Sequence, residues 1–216
     1  YTNGTEGKQL RHVQTLEETM YPRYYAPAGT AEGSQPPIAL TPEPAGEDEP
    51  QAQHLTFQEN ARGVSFDTLF GPYLAGAREI TVTDPYIRLF FQARNMMELL
   101  ETVARVKEPG EEVSVHLITG QEEFEGDRQE EYLEQMQTAA AAAGIRFTWT
   151  LDDSGSLHAR HIVTDTGWKI ILDRGLDIFQ RYEMNDAFAL ANRVQEQRAV
   201  KAFEVTYVRV DEGQGL

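Results

Sequence analysis

The 216-residue sequence contains no cysteine. Disulfides, thiolate metal sites and a cysteine nucleophile are therefore excluded, and the composition suits a reducing compartment, so the expected location is cytoplasmic. Long apolar runs are missing too: none approaches the roughly 20 residues that span a bilayer. Cations are scarce, with 19 Lys and Arg against 35 Asp and Glu and a formal charge of -16. That balance argues against a broad electrostatic grip on nucleic acid or anionic lipid, because long-range repulsion must first be overcome. Any anion site has to be local. The acidity is not confined to one end, since residues 55–216 carry 16 Lys and Arg against 27 Asp and Glu.

What is present divides into three stretches. Residues 1–25 read as the tail of a preceding domain or a short helix, with Leu10, Val13, Leu16 and Met20 at helical spacing. Tyr1 stands where a methionine would open a complete chain, and no basic and apolar leader follows, so a fragment with parent-protein domains upstream is expected. Residues 26–54 hold six prolines, three glycines and the run Glu47-Asp48-Glu49, the composition of an extended linker. Residues 55–216 then alternate strand and helix patterns, which indicates an α/β domain.

Within that domain Phe66 to Leu74 form an opening helix, and Ile80 and Val82 lie in a strand ending at Asp84-Pro85. There the aspartate is expected to cap, and the proline to begin, a helix through Leu89, Met96, Leu100 and Val103. Further strands are expected around Val113–Leu117, Ile145–Leu151 and Phe203–Val210. A helix through Tyr132 and Met136 closes at Gly144. Residues 158–164 and 167–172 read as a hairpin turning at Asp165-Thr166-Gly167, with Trp168 a core residue. The acidic loop Glu122 to Asp127 lacks calcium-loop spacing, and neither a metal nor a cofactor is expected.

His158, Arg160 and Asp165 give the spacing HxRxxxxD. In a strand His158 and Arg160 share a face, and His161 faces the other way. Histidine can act as nucleophile or acid near neutral pH and a neighbouring cation stabilises phosphoryl oxygens, so this spacing suits a phosphate site, with Asp165 available to orient a histidine. A half-buried hairpin displaying these groups incidentally is the alternative. Arg88, just past the strand end at Asp84-Pro85, and Arg174 are the other candidate ligands of an anion.

Several segments in one order resemble the phospholipase D-like domain found at the C-terminus of MIT-domain proteins. They are Gly63-Val64-Ser65-Phe66, Asp84-Pro85-Tyr86-Ile87-Arg88, Val115-His116-Leu117-Ile118-Thr119, Gly167-Trp168-Lys169-Ile170 and Arg174-Gly175-Leu176-Asp177-Ile178-Phe179. The resemblance covers about residues 63–210 and implies a phospholipase D-like mixed sheet flanked by helices, a homodimer, and binding of phospholipid headgroups with peripheral membrane attachment. Phospholipase D chemistry uses two HxKxxxxD copies, one histidine attacking phosphorus and the other protonating the leaving group. This chain has one copy, Arg160 in the lysine place, and no Gly-Ser-x-Asn segment after it. The expectation is therefore a non-catalytic module that binds a phosphate-bearing ligand, phospholipid or nucleic acid, through His158, Arg160, Arg174 and Arg88. Two other readings stay open: a dimeric phosphodiesterase or nuclease using His158, Arg160 and Asp165 of each subunit, and a docking domain of a parent ATPase or protease.

Overall fold

The computed structural model describes residues 49–123, 126–184 and 186–210. The expected helix at 8–20 and nearly all of the linker lie outside the described residues.

Seven strands make one mixed sheet: β1 (Gln53–Phe57), β2 (Glu79–Thr83), β3 (Val113–Gly120), β4 (Ile145–Asp152), β5 (His161–Thr164), β6 (Trp168–Leu172) and β7 (Phe203–Arg209), in the order β1-β7-β6-β5-β2-β3-β4. β3 lies parallel to both β2 and β4, and every other pairing is antiparallel. Among the described residues the α-helices are α1 (Phe66–Leu74), α2 (Phe90–Val106) and α3 (Gly126–Ala142). α2 and α3 are successive crossovers in one direction, β2 to β3 to β4, so right-handed connections put both on the same face. Among the described residues no helix is long and apolar enough to cross a membrane.

Strand alternation decides what that face buries. Ile80, Val82, Val115, Leu117, Phe147, Ile162, Ile170, Val205 and Tyr207 are all at most 2% exposed and pack with Phe66, Phe70, Met96 and Leu99 of the helices. The opposite face carries Thr81, His116, Thr148, Val163 and Thr206, half-buried or exposed. Trp168 is core as expected: it meets the edge of Tyr73 at 5.0 Å, and Tyr73 stacks on Tyr207 at 4.1 Å. α1 starts with a capping box in which Ser65 Oγ accepts from Thr68 N (3.3 Å) and Thr68 Oγ1 accepts from Ser65 N (3.2 Å).

The connection from β6 to β7 is long, with short 3₁₀ turns at Leu190–Asn192 and Gln195–Gln197. It is fastened to α2 by a buried ion pair. Arg198, 3% exposed, donates from both terminal nitrogens to Glu98 (2.5 and 2.8 Å) and from Nε to Ala191 O (2.6 Å). Its guanidinium also lies over the rings of Tyr182 (4.3 Å) and Phe179 (5.1 Å). A buried carboxylate needs such a fork to offset its desolvation.

Candidate anion-binding site at the strand ends

β2 runs out into Asp84-Pro85-Tyr86-Ile87-Arg88. This turn is held from below by two polar side chains. Thr119 Oγ1 accepts from Ile87 N (3.2 Å), and the buried Gln129 amide donates to Ile87 O and Gly120 O (both 2.9 Å). α2 begins only at Phe90, after Leu89. The aspartate does not cap it, because the Asp84 carboxylate is engaged elsewhere: Oδ1 accepts from Tyr86 N and Oδ2 from Leu176 N, both at 3.0 Å. Gln92 does the capping instead, its Oε1 accepting from Arg88 N (3.1 Å) and Leu89 N (2.9 Å).

Asp84 is 3% exposed. Burial raises its pKa above the ordinary value; the hydrogen bonds from Leu176 and Tyr86 and the nearby charge of Arg160 oppose that, and Asp177 adds to it. Gly175 lies directly against the carboxylate with φ +62°, and a Cβ there would overlap Asp84 Oδ2. The Asp-Pro-Tyr-Ile-Arg and Arg-Gly-Leu-Asp-x-Phe blocks are thus two sides of one contact, which explains why both are distinctive.

Arginines surround this contact. Arg160 lies over the Tyr86 ring at 4.5 Å and donates through Nη1 to Asp173 O, and its Nε is buried without a hydrogen-bond partner. Arg174 donates through Nε to Ala202 O (2.6 Å). Asp177, which could have neutralised Arg174, is bound by Lys201 instead (2.7 Å). Arg88 donates through Nε to Pro85 O (2.9 Å) and lies against Gly120, where a Cβ would overlap its guanidinium. Arg160 thus lies against Tyr86, Arg174 reaches to the start of β7, and Arg88 lies against the end of β3. Each is oriented by a backbone carbonyl and makes no ion pair among the described residues, although the Arg160 charge also acts on the buried Asp84 carboxylate.

The histidine and aspartate of the motif are placed differently from the expectation. β5 starts at His161, so His158 and Arg160 precede the strand; Arg160 O still accepts from Leu172 N (3.0 Å), but His158 is exposed and makes no hydrogen bond or ion pair among the described residues. Asp165 lies at the opposite end of the sheet, where its two oxygens accept from Arg78 N (3.0 and 3.2 Å). Four strand residues span about 13 Å, which separates Asp165 from His158. It orients no histidine among the described residues. His161 is half-buried, and burial first, then the Lys169 charge, lowers its pKa, leaving it neutral near pH 7.

One feature escaped sequence reasoning. A cavity of about 560 Å³ opens beside the strand ends, lined among others by Phe91, Asn95, Phe179, Arg181, Tyr182 and Lys201. Asp177 and Phe179 of its lining belong to the Arg174–Phe179 segment, and the remaining side chains converge from positions scattered between 90 and 201.

Residues 63–209 match the family described as "Phospholipase D-like domain at C-terminus of MIT". MIT domain-containing protein 1 of Mus musculus is 32% identical over 137 residues, covering 62% of this chain and 53% of that protein. The chain thus spans about half the length of that curated relative. Among solved structures, the phosphatidylserine synthase of Haemophilus influenzae Rd KW20 aligns over 74% of this chain and 35% of the synthase, with 11% identity and a TM-score of 0.42.

Proposed function

Because the chain belongs to the family of phospholipase D-like domains found at the C-terminus of MIT, we propose that it is a module of a larger protein that binds a phosphate-bearing ligand without hydrolysing it and pairs with a second copy of itself. The observation that carries this reading is the set of carbonyl-oriented arginines, Arg160, Arg174 and Arg88. None of the three is ion-paired among the described residues, and a guanidinium fork suits the oxygens of a phosphate. On a chain of charge -16 such a site works at short range, so it selects a concentrated phosphate group and not a polyanion's overall field. The reading of binding without hydrolysis is supported by His158, which has no orienting acceptor among the described residues, and by the distant Asp165. Peripheral attachment to a membrane is the setting in which a headgroup would be met.

The test compares the full chain with Arg160→Ala on vesicles of phosphatidylcholine with and without phosphatidylinositol phosphate, and on a single-stranded oligonucleotide. Vesicle binding lost in the variant assigns a headgroup, and oligonucleotide binding lost in the variant assigns nucleic acid. Wild-type binding that the variant leaves intact removes the site. Turnover of a generic phosphodiester in EDTA by a verified dimer, lost in His158→Ala, would replace this reading with the enzyme.

A further inference from the structure

We infer that the cavity beside the strand ends is a binding pocket for a nucleoside monophosphate. It is lined by residues distinct from the phosphate-site arginines, so it stands or falls separately from that site. Its volume, about 560 Å³, lies in the range of small-molecule sites.

Asn95 carries the inference. It is 3% exposed, it lines the cavity, and its carboxamide makes no hydrogen bond among the described residues. Its carboxamide offers two donors and an acceptor to whatever fills the cavity, so an occupant that matches it presents a donor and an acceptor side by side. An acyl chain or an apolar side chain would fill the space and bury the amide unpaired. A bare phosphate would leave the aromatic walls unused.

Those walls favour a flat ring. Phe91 has no aromatic partner among the described residues, and Tyr182 and Phe179 line the same space. Carboxamides pair with the edge of a nucleobase through one donor and one acceptor, and aromatic side chains stack on its face. At the rim Arg181 is exposed and makes no ion pair among the described residues, whereas Lys201 is held by Asp177 at 2.7 Å. Arg181 is the phosphate contact. Glu183 on the same rim opposes a longer phosphate chain, so the monophosphate is preferred to the triphosphate.

Calorimetric titration of the full chain carrying Arg160→Ala, which takes away the candidate phosphate site at the strand ends, with AMP, GMP, CMP, UMP, adenosine and inorganic phosphate tests this. At least one nucleoside monophosphate is expected to bind, its nucleoside about tenfold more weakly and phosphate alone not measurably. Arg181→Ala, at an exposed position, should bring the monophosphate down to the nucleoside's affinity and leave the nucleoside unchanged. Asn95→Leu, checked for an intact melting transition, should weaken both about tenfold or more; if it does not fold, Phe91→Ala takes its place. No binding of any of the four monophosphates, or binding indifferent to Arg181→Ala and to the wall substitution, overturns the assignment and leaves water as the amide's only partner.

Discussion

Arg198 and Arg160 are both rigidly held arginines on the β6–β7 side of the molecule, yet different kinds of atom hold them. Arg198 is 3% exposed, and Glu98 takes both its terminal nitrogens. Arg160 leans on the Tyr86 ring and on the Asp173 carbonyl. A carboxylate partner cancels the charge and turns the arginine into a fastener, here joining the long β6–β7 connection to α2. A carbonyl or an aromatic face orients the guanidinium but leaves it electrostatically available. The chemistry of the partner is therefore what distinguishes the scaffold arginine from the candidate site arginine in this fold.

The largest expected effect breaks the scaffold side. Arg198→Ala leaves Glu98 buried and unpaired and should destabilise the domain by about 3–5 kcal/mol in urea denaturation, whereas replacing both partners with leucine should be far milder. If the single and double replacements are equal, the pair is not what fastens the connection. Next comes Gly175→Ala, which forces φ +62° on a residue with a Cβ and drives that Cβ into Asp84; a loss of about 2 kcal/mol is expected, read as a lowered melting temperature. Arg160→Ala should move stability by no more than about 1 kcal/mol yet weaken phosphate-ligand binding about tenfold, a split that a purely structural arginine would not show.

A subtler effect concerns Asp84. Its folded pKa is raised above the model-peptide value of 3.8, so the native state takes up the proton at a higher pH than the unfolded chain. Lowering the pH through the folded pKa towards 3.8 therefore favours the native state at this residue. The wild type should gain on Asp84→Asn as the pH falls from 7 towards that value, and a stability gap independent of pH would contradict it. Smallest of all is His158→Ala, expected to leave stability within about 0.5 kcal/mol because the side chain has no partner to lose.

Most of the described architecture was legible because alternation and helical spacing are properties of neighbouring residues: β2, β3, β4, β6 and β7 and the three described helices lie where those periods put them, except that α2 starts at Phe90 and not at Asp84-Pro85. β1 was not, since its burial pattern is mostly exposed and its place comes from pairing with β7 and from the stacking of Phe57 on Phe203 at 4.5 Å, a partner nearly 150 residues away. Around the candidate site the strand period was extended too far. His158 has no ladder partner, and the antiparallel course of β5 carries Asp165 to the other end of the sheet. The contact between Asp84 and Gly175 and the convergence of Asn95, Arg181 and Lys201 are tertiary facts with no local signal.

The pairing of β1 with β7 places Gln53 opposite Tyr207, so the first strand begins where the last one ends. Both points lie at the pole of the sheet away from Asp84, since β7 enters at the site end and leaves at the other. The domain is therefore suited to circular permutation: a short bridge from Arg209 to Gln53 would close the backbone into a ring without crossing the arginines, and new ends could be opened in the exposed turn at Ser154–Ser156. In such a ring the order of the two distinctive blocks along the chain becomes a matter of choice, while their contact in space stays the same.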